Sequence, residues 1–373
     1  MKRFLCSVLL VLLAVTCTWA ARKPLNTIAQ DPYISALVID ADTGQTLFEA
    51  NANAKVYPAS VLKLMDLYVI LDRIEQGTLK LDEMVAVTAE AAKTGGSQVY
   101  LDTREQFSVE DLLYALMVQS ANDAAVALAT HIAGSKEGFV ALMNQKAQAL
   151  GMNNTVFHSV HGLPPSEGQE PDITTARDFA ILCRELAKRP DALKYTSTQT
   201  RGFRGDSFTM RNHNKLLTQY PGCDGFKTGY YQAAGFSIAA TAKKGGVRII
   251  SLVMGSKDRK VRDAQAMELL AKGFAKVPPR PDTPVVQPAA VTAPPAAGAS
   301  SAVSAPTVEV AQTETQEPAP PAQQSTKGKS SWGIFFIGVG AGCLLFLGFI
   351  VVTGMIMKRR SSTTIRTKYK IRE

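Results

Sequence analysis

Ser60 and Lys63 stand three residues apart in Pro58-Ala59-Ser60-Val61-Leu62-Lys63, a pairing that can do acyl-transfer chemistry. At that spacing on a helix start they share one face and come within reach of each other. A serine hydroxyl is a weak nucleophile that needs a base, and a lysine serves once its charged form is disfavoured. Burial, a helix N-terminus and a second nearby cation each lower a lysine pKa. The same dipole aims a backbone N–H at a developing oxyanion. Two further tripeptides complement the pair. Ser120-Ala121-Asn122 offers a hydroxyl to relay protons and an amide to hold a substrate carbonyl. Lys227-Thr228-Gly229 lets a substrate backbone lie along a strand edge while Lys227 supplies charge for a carboxylate. Each also has a plain structural reading: an N-cap serine with a snorkelling lysine, an interhelical cap, and a loop tripeptide. A second Lys93-Thr94-Gly95, read here as a loop, shows how cheap the last of these is.

The elements that must position these residues can be read from pattern. Apolar runs at 35–40 and 46–49 flank Ala41-Asp42-Thr43-Gly44-Gln45, a strand-turn-strand signal. A helix is expected over 58–75, with Pro58 near its first turn and Gly77 past its end. Ser108-Val109-Glu110-Asp111 reads as a capping box ahead of helix 112–118. Further helices are expected at 123–132, 138–150, 175–188 and 259–275. Runs 235–243 and 247–254, joined by Lys244-Gly245-Gly246, form a hairpin. Strands at both ends with helices between them imply an α+β architecture: an antiparallel sheet flanked by helices, plus an all-helical lobe.

The charge pattern excludes a nucleic-acid partner. The net charge is +9, but Lys2 and Arg3 supply +2 and the tail after Met357 supplies +6, leaving about +1 between them. Residues 1–20 read as a signal peptide with a Thr18-Trp19-Ala20 cleavage site. The folded domain is expected over 24–277. Residues 278–331 form a Pro/Ala-rich disordered linker, because 278–330 holds 11 of the 19 prolines and no Leu, Ile, Met, Phe, Tyr or Trp. Residues 332–357 lack any charge over 26 positions, enough for a single transmembrane helix, and the basic tail 358–373 stays cytoplasmic. That places the domain on the extracytoplasmic (periplasmic) side of the cytoplasmic membrane. Cys183 and Cys223 read as buried free thiols, with a disulfide as the alternative. The histidines (His131, His158, His161, His213) show no ligand spacing, so no metal and no other cofactor is expected.

S-x-x-K, S-x-N and K-T-G in this order resemble the active-site set of penicillin-binding proteins and serine β-lactamases. Residues 117–125, His161-Gly162-Leu163, Asn214-Lys215-Leu216-Leu217 and Asp224-Gly225-Phe226-Lys227-Thr228-Gly229 extend the likeness. Together they are similar to the low-molecular-mass D-alanyl-D-alanine carboxypeptidases, over roughly residues 30–277. The resemblance implies the β-lactamase/transpeptidase-like fold and a set of roles. Ser60 attacks the penultimate D-Ala carbonyl of a peptidoglycan stem peptide, Lys63 takes the proton, and Ser120 passes it to the departing amine. Asn122 orients the peptide, Lys227, Thr228 and Gly229 hold the terminal carboxylate, and the N–H groups of Ser60 and Tyr230 form the oxyanion hole. β-Lactams are then covalent inhibitors at Ser60. Many relatives have His where this chain has Tyr230, and Arg where it has His213, so His213 or Arg211 is expected to take over carboxylate binding. A D,D-endopeptidase uses the same residues. A β-lactamase is disfavoured, since no E-x-x-L-N setting lies between Ser120 and Lys227. A non-catalytic, membrane-tethered wall-binding module is the reading from a different class.

Overall fold

Strand signals from opposite ends of the domain meet in one sheet. The computed structural model describes residues 25–281, so the expected signal peptide, membrane span and basic tail, and the linker beyond 281, lie outside the described residues. In chain order the elements begin with β1 (Ser35–Asp40), β2 (Thr46–Ala50) and a 3-10 turn (Ala59–Leu62). The turn continues into α1 (Lys63–Glu75), followed by β3 (Met84–Ala86), α2 (Ala89–Lys93) and β4 (Gln106–Ser108). Next, α3 (Val109–Tyr114) runs into a π turn (Ala115–Gln119), ahead of α4 (Asn122–Ala133) and α5 (Lys136–Ala149). Then come α6 (Ala176–Ala187), α7 (Pro190–Ser197), β5 (Thr200–Phe203), β6 (Phe208–Arg211) and α8 (Leu216–Gln219). The last elements are β7 (Cys223–Tyr231), β8 (Gly235–Lys244), β9 (Val247–Ser256) and α9 (Arg259–Lys276).

The main sheet has the antiparallel order β2-β1-β9-β8-β7. All six residues of β1 are buried because both faces are covered. Leu37 and Ile39 join the large core shared with α1, α4 and α6, while Ala36 and Val38 join a second cluster under α9. That split follows the period of two along a strand. β7 closes one side of the order and so has a free edge, which carries Lys227, Thr228 and Gly229. Its start is held across the sheet by Arg248, whose guanidinium donates to both carboxylate oxygens of Asp224 at 2.6 and 2.7 Å. Bidentate pairing of this kind fixes geometry as well as charge.

Several boundaries differ from the sequence reading for local reasons. The expected helix 58–75 divides, with Ala59 at φ +46 and Ser60 in the 3-10 turn rather than in the α-helix proper. The expected helix 112–118 widens into the π turn and stops at Ser120, which is left-handed at φ +59. Ser108 does cap α3, accepting from Asp111 N at 3.1 Å, but it then donates to Asp111 Oδ2 instead of receiving a reciprocal bond. Lys93 ends α2, so only Thr94 and Gly95 of its tripeptide are loop. Cys183 is buried and Cys223 half-buried, both as free thiols. The ordered chain also runs past 277: Arg280 N donates to Gly245 O at 2.9 Å, and its guanidinium pairs with Asp40 and Asp42.

α9 packs tightly where Gly273 meets the sheet. A Cβ there would stand 2.7 Å from Ile249 Cγ2 and 3.0 Å from Val38 Cγ1. Gly273→Leu is therefore expected to cost about 1–3 kcal/mol by overpacking, seen as a fall in the thermal midpoint. An unchanged midpoint would refute this packing.

Candidate active site

Lys63 is the first residue of α1 and 0% exposed. Its Nζ donates to His161 O at 2.7 Å, Asn122 Oδ1 at 2.8 Å and Ser60 Oγ at 3.1 Å. Three acceptors match the three hydrogens of an ammonium. Loss of one proton keeps the two shorter bonds and turns a lone pair toward Ser60. Burial pushes the Lys63 pKa down to about 7, against a pull from Asp66, Asp172 and Asp123. Those carboxyls are themselves held above their usual range by burial. Neither oxygen of Asp66 has a hydrogen-bond partner among the described residues, although it is only 2% exposed. A carboxyl so placed favours its neutral acid form, which leaves the lysine without a full counter-charge.

The loop at His161 braces this pair from outside the helix. Ser60 Oγ also reaches His161 O, at 3.4 Å. Gly162 follows at φ +71, and a Cβ there would lie 2.2 Å from Ala59 O and 2.9 Å from Ser60 N. Only glycine permits that approach and that dihedral together. Gly162 N donates to Ser159 Oγ, which in turn donates to Asp172 Oδ2 at 2.7 Å. Asp172 Oδ1 accepts from His158 N and Ser159 N as well. The buried Asp172 thus shapes the loop whose carbonyl holds Lys63. The His161 ring plays a separate part: burial, with Lys63 nearby, pushes its pKa down to about 3, so the imidazole is neutral.

Ser120 and Asn122 divide their work. Asn122 is buried and uses its amide on two protein partners, accepting from Lys63 and donating to Gly95 O at 2.7 Å. Its backbone N donates to Ser97 O, and Asp123 accepts from Val99 N and Leu101 N, so together they clamp the 95–101 loop. Ser120 instead lines the cleft, and its Oγ makes no hydrogen bond to another described residue. Left-handed φ at both Ala59 and Ser120 is the kind of local strain that packed surroundings hold at functional positions.

A cleft of about 540 Å³ opens in front of Ser60. Ser60, Ser120, Thr228, Gly229, Tyr230 and His213, all singled out in the sequence, line it. Gly229 lets β7 lie against the nucleophile turn, since a Cβ would sit 2.7 Å from Pro58 O and 2.9 Å from Ser60 N. Lys227 lies behind the wall, 2% exposed, with Nζ donating to Thr228 O at 3.0 Å. Burial, then Lys63 and Arg262, hold its pKa well below the usual lysine range. His213 is pushed down to about 4 by burial, with Lys227 next in weight, and so is neutral near pH 7. The cationic side chains that line the cleft are Arg211, Lys215, Arg259 and Arg262, and no carboxylate lines it among the described residues. Arg262 is almost wholly buried, held by Asp263 Oδ1 and by Ser237 O.

A model of the D-alanyl-D-alanine carboxypeptidase family matches residues 23–258. The chain belongs to that family. It is 38% identical over 250 residues to D-alanyl-D-alanine carboxypeptidase DacF of Bacillus subtilis, covering 66% of this chain and 63% of that protein. It is 37% identical over 245 residues to DacC of Escherichia coli, covering 64% of this chain and 60% of that protein. The chain thus spans less than two thirds of the length of these relatives. Among solved structures, D-alanyl-D-alanine carboxypeptidase DacD from Francisella tularensis aligns with a TM-score of 0.60 at 28% identity, covering 69% of this chain and 74% of that one. Ampicillin-bound penicillin-binding protein D2 from Listeria monocytogenes aligns with a TM-score of 0.60 at 30% identity, covering 65% and 97%.

Within the family frame, the residues that sequence reasoning missed are Arg262, Arg259, Asp172 and the His161 carbonyl. A signal for the arginines existed. Arg259-Lys260-Val261-Arg262 opens a helix with no acidic residue in its first turn, against the sign that a helix N-terminus favours.

Because only neutral Lys63 can accept the Ser60 proton, acylation of Ser60 by an activated ester should rise with pH through about 7 and then level. A pH–rate profile checks this, and a limb near the ordinary lysine range sinks it. Gly162→Ala should displace the nucleophile turn and lower the acylation rate at least tenfold, a loss of about 1.4 kcal/mol or more. Stopped-flow rates on folded protein decide it.

Proposed function

We propose that this chain is a serine-type D-alanyl-D-alanine carboxypeptidase, tethered to the cytoplasmic membrane and covalently inhibited by β-lactams. The observation that carries the reading is the buried Lys63 hydrogen-bonded to Ser60 beside the open edge of β7. A peptide ending in D-Ala-D-Ala adds to that edge as an antiparallel strand. Thr228, backed by Lys227 and Arg262, receives its terminal carboxylate; His213, neutral near pH 7, contributes hydrogen bonding rather than charge. Ser60 Oγ attacks the penultimate D-Ala carbonyl as its proton passes to Lys63. The oxyanion is met by the backbone N–H groups of Ser60 and Tyr230. The C–N bond then breaks, and the proton reaches the leaving amine through Ser120, whose hydroxyl faces the cleft. Asn122 holds Lys63 in line through this transfer and turns its amide to the peptide once substrate is bound. Water hydrolyses the acyl-enzyme with the same base, and no metal or cofactor takes part in the steps drawn.

Support for the membrane reading is the uncharged stretch 332–357 followed by Lys358-Arg359-Arg360. Among the described residues no helix is long and apolar enough to cross a membrane. The signal peptide and the basic tail together put the domain on the extracytoplasmic side, where peptidoglycan lies.

Mass spectrometry of products from the full chain, given a stem pentapeptide or a cross-linked dimer, tests the activity. Loss of one alanine from the pentapeptide, absent in Ser60→Ala, is the expected result. Cleavage of the dimer alone would make the protein an endopeptidase, and turnover of neither by folded protein would leave a wall-binding module.

A further inference from the structure

The wall of the cleft past Gly229 has chemistry that the reaction itself does not use. Tyr230 is 53% exposed, and its ring stacks on Phe236 with centroids 4.0 Å apart and planes at 18°. The two residues are cross-strand partners on β7 and β8, and Phe236 in turn pairs with Ser256 of β9. Three residues after Ser256, Arg259 opens α9 with an exposed side chain. Its guanidinium has no ion pair or hydrogen bond among the described residues. Tyr230, Phe236 and Arg259 all line the cleft.

Direction along the strand says which part of a ligand meets them. With its carboxylate at Thr228 and its scissile carbonyl at Ser60, an antiparallel peptide continues toward Tyr230 through the residue preceding D-Ala-D-Ala. Thr228 and Tyr230 project to the same face, being two apart on a strand. The platform therefore lies under that preceding residue. A flat aromatic pair suits a run of methylenes, and an unpaired guanidinium beyond it suits a carboxylate.

We propose that Tyr230, Phe236 and Arg259 form a specificity subsite for the residue before D-Ala-D-Ala, selecting an aliphatic side chain that ends in a carboxylate. This rests on the carboxypeptidase reading. A stem peptide with a diamino diacid at that position meets the requirement, whereas one with lysine supplies the methylenes without the anion. Tyr230 thus has two separable parts, its N–H in the oxyanion hole and its ring in the subsite.

The test compares kcat/KM of the full chain for two pentapeptides that differ only in diamino diacid against lysine at the third residue. The expected ratio is about tenfold in favour of the diacid, the scale of one partly exposed charge-assisted hydrogen bond. Arg259→Gln should bring the ratio near one, and Arg259→Lys should restore much of it. The ratio is internal to each variant, so a partly unfolded sample does not distort it. Equal rates in the unaltered protein, or a preference that survives Arg259→Gln, overturns the subsite while leaving the carboxypeptidase intact. Hydrolysis of neither peptide, with Ser60 still labelled by a fluorescent penicillin, overturns the carboxypeptidase reading and the subsite with it.

Discussion

Everything around the cleft depends on keeping one lysine amine dry. Burying Lys63 is costly, and the fold accepts that cost by surrounding Nζ with three oxygens from three separate segments. One belongs to the nucleophile, one to the start of α4, and one to the loop shaped by Asp172. Shifting any of these segments would either leave the amine short of an acceptor, which disfavours its charged form further, or admit water, which returns it toward an ordinary lysine. The buried carboxyls nearby do not undo the effect because burial of Lys63 outweighs their pull, and burial raises the pKa of Asp66 and Asp172 as well.

This constraint explains why the architecture joins distant parts of the chain. The nucleophile turn is pressed from one side by Gly162 and from the other by Gly229, each at a distance no side chain allows. Those glycines belong to a loop tied to buried Asp172 and to an edge strand fixed by the Arg248–Asp224 pair. Sheet and helical lobe are thus two halves of a vice closed on Ser60 and Lys63.

Much of this was legible in the residues. The strand pairs at either end and the long helices follow from period and caps, because those signals are local, and the S-x-x-K, S-x-N and K-T-G set stood out through its resemblance to a family pattern. What could not be read was non-local or conformational. The Ser60 backbone leaves the α-helix because β7 and the 161–162 loop crowd it. Asn122 was read only for its part in orienting a peptide, whereas its amide also bonds Lys63 and Gly95 O, since loop 95–101 folds over it. Charge for a carboxylate was sought at Lys227 and at His213 or Arg211. Burial holds Lys227 well below the usual lysine range and keeps His213 neutral, while Arg262 arrives from a helix nearly fifty residues after His213.

The C-terminal exit carries a mechanical consequence. Arg280 is bonded at the Gly245 hairpin and the Asp40–Asp42 turn, the end of the sheet opposite to Tyr230 and Phe236. Tension on the chain beyond Pro281 is therefore taken up by the sheet before it reaches α9. The helix that presents Arg259 and Arg262 to the cleft is shielded by this strain relief, so a pull on the tail need not register as a change in the substrate site.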